Sequence, residues 1–203
     1  DFTRAYAFGA AAAPTALVPE SARRSFEGFD RADGSVGIRN TIGILATVTC
    51  SLGTAHLIAR RFTPAVMARY PHVDGVIALG ANSGCCMTPG GEAVSFLQRA
   101  LAGYARHPNF GGVLILGLGC EQNLVGSLLE ATGIVPGERV RTMVIQDEGG
   151  TQATVERGER IVTELHQTAA RDRRHPNPAS PLQLRLESAG SDANTRITAT
   201  PPL

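Results

Sequence analysis

Three cysteines, Cys50, Cys85 and Cys120, recur at intervals of 35 residues, each closing an apolar run: TIGILATVTC, DGVIALGANSGC and GGVLILGLGC. Thiolate is the soft ligand that selects iron, zinc or an iron–sulfur cluster. Three such ligands leave a position open for substrate, as in catalytic metal centres. The competing reading is packing, because free cysteine is among the most buried residue types. Equal spacing favours a shared site for Cys50, Cys85 and Cys120. Cys86 would point elsewhere in an extended segment and reads as packing.

The elements that must position these sulfurs follow from the pattern. Each run is strand-like and a helix-like stretch follows it, so the 35-residue interval repeats one βαβ unit. The expected fold is α/β: a mostly parallel sheet of about four to five strands with helices on both faces. Strands are expected near residues 41–48, 75–79, 113–118 and 140–145. Helices are expected near 53–62, 92–106, 123–131 and 151–171, with Thr151 as an N-cap. All three cysteines then fall at the carboxyl edge of the sheet, where open α/β folds bind ligands.

Other groups at that edge are candidates for chemistry. Glu121, directly after Cys120, could ligate, act as a base or simply favour a helix's first turn. Asp147 and Glu148 in QDEGGT fall at the same edge, where Glu148 could take a proton. His56 is a further candidate base, one turn beyond Cys50. The glycines free backbone N–H groups for an anion such as a carboxylate. Substrate binding is therefore expected at Ser83, Gly84, Gly119, Gly149, Gly150 and Thr151, with Gln146 bonding a hydroxyl. Arg39 and Asn40 should lie at the opposite end of the first strand, in a structural or interface role.

Composition narrows the classes. The chain has 203 residues, 43% of them hydrophobic, and a formal net charge of +1, with no run of one sign to attract nucleic acid or a membrane surface. No apolar stretch reaches the roughly 18 residues that span a bilayer. Four cysteines are too few for a disulfide scaffold, so reduced thiols in a cytoplasm are expected. The 19 basic residues are all arginine, which removes Schiff-base and pyridoxal-phosphate chemistry. Walker, GxGxxG, HExxH and GxSxG motifs are absent.

Residues 1–25 read as a low-complexity tail or linker, 26–172 as the α/β core domain, and 173–203 as a connector followed by the start of a further strand–loop unit. A chain beginning at Asp1 and stopping after such a start is expected to be truncated.

In order along the chain, DGSVGIRN, YPHVDGVIAL with SGC, HPNFGGVLILGLGCE, IQDEGGT and GSDANTRITATP resemble the altronate/galactarate dehydratase family, which includes sugar-acid dehydratases and a sulfolactate sulfo-lyase. HPNFGGVLILGLGCE is the most specific piece. The resemblance implies a hydro-lyase subunit or fragment. It would eliminate water from a sugar-acid-type hydroxycarboxylate by metal-assisted β-elimination, with iron as Fe2+ or a cluster on Cys50, Cys85 and Cys120. It also implies a small-molecule partner and an oligomer or complementing subunit. The chain departs from the family pattern at Ala81, where THGTGC-like loops carry histidine, and at Ser188, where CGGSD-like loops carry cysteine. The alternatives are a sulfo-lyase acting on sulfolactate and a degenerate, non-catalytic member acting as scaffold or regulatory partner.

Overall fold

The computed structural model describes residues 18–180 and 182. The chain divides into two units, one of residues 1–25 with 178–203 and one of Phe26–Asn177. Ser188 lies outside the described residues. In the terminal unit, Glu20–Ala22 form a single 3-10 turn.

The larger unit is built on a four-stranded parallel sheet. Its strands are β3 (Thr41–Ala46), β4 (Gly75–Gly80), β5 (Phe110–Gly117) and β6 (Val140–Val144), in the order β4-β3-β5-β6. β1 (Ser25–Asp30), β2 (Val36–Gly37) and β7 (Arg174–Pro178) form a small second sheet in the order β2-β1-β7. Two expectations change here. Residues 25–37, where no strand is expected, contain the antiparallel β1–β2 pair, and the stretch read as a connector contains β7. Neither element has the long apolar run that marks the core strands, so periodicity does not reveal them.

Helices α1 (Thr49–Ala59), α3 (Glu92–Ala105), α4 (Val125–Thr132) and α5 (Thr151–Ala169) cover the sheet, with a short α2 (Pro64–Met67) between α1 and β4. Period-two alternation assigns the faces. Ile42, Ile44, Leu114 and Leu116 pack with Ala55 and Ile58 of α1 and with Val162 and Leu165 of α5. Leu45, Val113 and Ile115 pack with Leu97 and Leu101 of α3 and Leu128 of α4. β3 and β5 are therefore apolar throughout because both their faces are covered.

Two ends differ from expectation. α1 begins at Thr49, so Cys50 is in its first turn, and Gly150 rather than Thr151 is the N-cap residue of α5. Buried His166 of α5 stacks on Phe62 at 4.9 Å, and its Nδ1 meets the Val162 carbonyl at 2.7 Å. Burial outweighs that hydrogen bond and lowers its pKa, which favours the neutral ring.

Candidate functional site at the carboxyl edge of the sheet

The parallel register places the strand ends side by side. Ala46 pairs with both Gly80 and Leu116, and Gly117 pairs with Val144. Cys50, Cys85 and Cys120 follow those level residues by four, five and four positions, so their loops leave the same edge. The sequence order of the strands reverses between β3 and β5. Ligands of open α/β sheets bind at such a switch point, and here the loops bearing Cys50 and Cys120 flank it.

Hydrogen bonds lace the loops together. The Thr49 amide donates to the Ser83 carbonyl at 3.0 Å, and the Thr49 hydroxyl reaches the carbonyls of Ala81 (3.2 Å) and Ser83 (3.3 Å). Asn123 joins all three cysteine loops. Its amide donates to the Gly84 carbonyl at 3.1 Å and its Nδ2 to the Thr47 carbonyl at 3.1 Å. Asn123 is fully buried, and its Oδ1 has no partner. The loop after β6 joins through the Gln146 amide, which donates to the Leu118 carbonyl at 3.0 Å.

Glu121 organises the third loop. It is 4% exposed; Oε1 accepts from the Thr47 hydroxyl at 2.7 Å and the Leu118 amide at 3.0 Å, and Oε2 accepts from the Gly119 amide at 2.6 Å. Burial pushes its pKa up. The donors, led by the Gly119 amide and the Thr47 hydroxyl, more than offset that, and the net shift is downward. The carboxylate is thus ionised and committed to holding the Cys120 loop.

Two glycines permit this close lacing. Gly84 has φ +105°, and a Cβ there would stand 2.5 Å from the Thr47 carbonyl oxygen. Gly119 has φ +121°, and its Cβ would stand 2.6 Å from Gln146 Oε1. The backbone contact at Gly84 is shorter than a Cβ tolerates, and at Gly119 a side chain would have to displace Gln146 and hold an unfavourable positive φ.

The other candidates spread unequally. Ser83, Gly84, Gly119 and Gln146 are brought together by this lacing, and Gly149, Gly150 and Thr151 form the start of α5 at the same edge. Glu148 pairs with Arg157 of α5 at 2.9 Å, and its side chain is 13% exposed. His56 corrects its expectation. With α1 starting earlier, it falls in the last turn, about 9 Å along the axis from Cys50 at about 1.5 Å per residue. It is exposed at the end of α1 remote from the carboxyl edge.

All four cysteines are exposed free thiols. Cys50, Cys85 and Cys120 therefore face solvent at one edge. Cys86 departs from its reading as a packed residue in an extended segment: it is exposed, in a bend, with φ +55°. Among the described residues, no group of three or more His, Cys, Asp or Glu side chains stands close enough together to hold a metal ion. The thiols fit iron by donor chemistry but, as placed, not by distance.

Asn123, Thr47 and Ser51 escaped the sequence reading. Ser51 is buried and bonds the Val48 and Leu116 carbonyls at 2.9 and 3.0 Å. For Thr47 and Ser51 the signal was a short polar residue just past an apolar strand, where such side chains bond backbone.

Residues 28–170 match a family described as D-galactarate dehydratase/Altronate hydrolase, second domain. The chain belongs to this family. It is 35% identical to altronate dehydratase of Escherichia coli (strain K12) over 92% of its own length and 37% of that protein. Identity to altronate dehydratase of Bacillus subtilis (strain 168) is 36%, over 89% of this chain and 35% of the relative. Identity to galactarate dehydratase (L-threo-forming) of Escherichia coli (strain K12) is 34%, over 87% of this chain and 35% of the relative. The chain thus spans a little over a third of the length of these curated relatives. Among the described residues, no helix is long and apolar enough to cross a membrane.

Proposed function

We propose that this chain serves a carbon–oxygen lyase that eliminates water from a sugar-acid-type hydroxycarboxylate, altronate- or galactarate-like, at the carboxyl edge of the sheet. The observation that carries the reading is the lacing of three cysteine loops at the switch point, in a chain whose named relatives are dehydratases.

The elimination removes a proton α to the carboxylate and expels hydroxide from the β-carbon. Backbone N–H groups of Ser83, Gly84 and Thr151 bind the carboxylate beside the turns that Gly119, Gly149 and Gly150 shape, and exposed Gln146 bonds a hydroxyl. Glu148 is the base we favour, held in place by Arg157. Glu121 acts by fixing the Cys120 loop. Iron, implied by the family resemblance, would be held by Cys50, Cys85 and Cys120. When bound it supplies Lewis-acid polarisation of the leaving hydroxyl.

A second reading, a non-catalytic member acting as scaffold or regulatory partner, has its own support. Ala81 packs against the Leu45–Leu97 core cluster in place of a histidine, and the thiols are not gathered. A complementing polypeptide or second copy fits either reading. β4 is an outer strand of the sheet, and its Ile77 is 41% exposed.

Iron and acid-labile sulfide per chain, measured after anaerobic purification, separate the two. The dehydratase reading expects bound iron that Cys50→Ser, Cys85→Ser and Cys120→Ser each remove, and turnover when aldonates, aldarates and sulfolactate are screened. A well-folded chain that takes up no iron, whatever its cysteines, overturns it and leaves the scaffold. Light scattering that returns a monomer argues against the second copy.

A further inference from the structure

Cys85 and Cys86 are adjacent, exposed and free, and they occupy a continuous bend from Gly84 to Cys86 rather than a strand. In an extended segment successive side chains point to opposite faces; a bend removes that alternation. Among the described non-glycine residues, Cys86 alone has a positive φ, +55°, a conformation that L-residues seldom hold without cause. No role in the core or the loop lacing absorbs it.

We infer that Cys86 is a resolving thiol for Cys85, so that the pair is an oxidative modification site whose co-reactant is a peroxide. The Cys85 thiolate attacks one peroxide oxygen; the O–O bond breaks, water leaves, and sulfur is oxidised to the sulfenic acid. The Cys86 thiolate then attacks that sulfur, expelling the hydroxyl as a second water and forming the S–S bond. In sum, two thiols and one hydrogen peroxide give one disulfide and two waters.

The product is built to reopen. The Cα atoms of neighbours joined by a trans peptide are about 3.8 Å apart, below the roughly 4.4–6.8 Å that disulfides usually span. Strained, exposed disulfides are the readily reduced, regulatory ones. On the proposed function, which this inference deepens, the consequence is protection. Closing the ring withdraws Cys85 from the iron donors during oxidation and spares it from the irreversible sulfinic acid.

The sequence supplies a direct assay. Because the chain has no lysine, trypsin cuts only at arginine and separates the thiols: Cys50 in residues 40–60, Cys85 with Cys86 in 70–99, and Cys120 in 107–139. The protein is treated with excess hydrogen peroxide, divided, alkylated with or without dithiothreitol, digested and weighed. The expected wild-type peptide 70–99 is two hydrogens lighter and unalkylated before reduction, and takes two alkyl groups after it. In Cys86→Ser, Cys85 should instead carry sulfinic acid that dithiothreitol does not reverse. Wild-type peptide 70–99 ending as sulfinic acid to the same extent, or found cross-linked to 40–60 or 107–139, overturns the inference. Ferrous iron uptake by the reduced, untreated protein is measured alongside. Its absence sinks the iron reading while leaving the peptide result intact.

Discussion

At the amino edge of the four-stranded sheet the chain is held by charge; at the carboxyl edge it is held by amides and hydroxyls around one carboxylate. At the amino edge Arg31 donates to the Pro108 carbonyl at 2.7 Å and to Asp172 at 2.8 Å, and Arg139 closes on the same Asp172 at 2.7 Å. Asn40, wholly buried, donates to the His72 and Ala169 carbonyls at 2.9 Å and accepts from Arg31 at 3.1 Å. Its expected structural role is thereby explained. At the carboxyl edge Asn123 laces the loops in the same manner, but it keeps an unpartnered oxygen and stands among exposed thiols. One edge spends its polar groups on the fold; the other leaves several of them open.

Removing Asp172 should break this contrast hardest. Asp172→Ala strands the Arg31 guanidinium, whose side chain is 12% exposed, and taking one partner from a buried pair costs about 3–5 kcal/mol. Urea denaturation should show that loss. If the two edges are independent, the alkylation rates of Cys50, Cys85 and Cys120 in the folded variant stay as in wild type.

Glu121→Gln comes next, with a loss of about 1.5–3 kcal/mol for hydrogen bonds to a buried charge. The pKa of Glu121 is lowered in the fold, so its contribution is present above the ordinary carboxylate range and fades as pH falls through the lowered value. His166, also lowered, contributes above the ordinary imidazole range and loses that contribution as pH falls below it. The urea midpoint of the wild type should therefore decline in two stages on acidification. Glu121→Gln should flatten the lower stage and leave the upper one.

Asn40→Ala and Asn123→Ala sharpen the comparison. Each leaves backbone carbonyls unpaired, at about 1–3 kcal/mol, and the two midpoints should shift alike. Only Asn123→Ala should change the reactivity of all three edge thiols, read from alkylation of the three tryptic peptides. Equal effects on thiol reactivity from both would dissolve the distinction.

The smallest effect belongs to Arg157→Ala. Its partner Glu148 is mostly covered, but Arg157 itself is 54% exposed, so stability should fall by no more than about 1 kcal/mol. If Glu148 is the base, a dehydratase activity, once found, should fall by more than that small change in stability explains.

The cysteine spacing, the apolar runs and the glycine-rich turns announced the parallel sheet and the edge where the thiols emerge, because periodicity and βαβ length are local properties. Glu121 was legible as a carboxylate beside Cys120, but its occupation was not: Thr47, which hydrogen-bonds it, is 74 positions away in the chain. Asn123 was invisible for the same reason, since its partners sit on two other loops. His56 went astray because a helix beginning four residues earlier than expected carries its last turn to the far end of the sheet.

The sequence by itself determined the strand–helix repeat, the emergence of three cysteines after three strands and the membership of a dehydratase family, all written in residue type and order along the chain. Only the tertiary structure decided that Glu121 holds a loop, that Cys86 is exposed in a left-handed bend and that the two edges are held by different chemistry. Those facts depend on which backbone groups from distant strands come within hydrogen-bond reach, and parallel pairing brings them together only after the chain has crossed the sheet and returned.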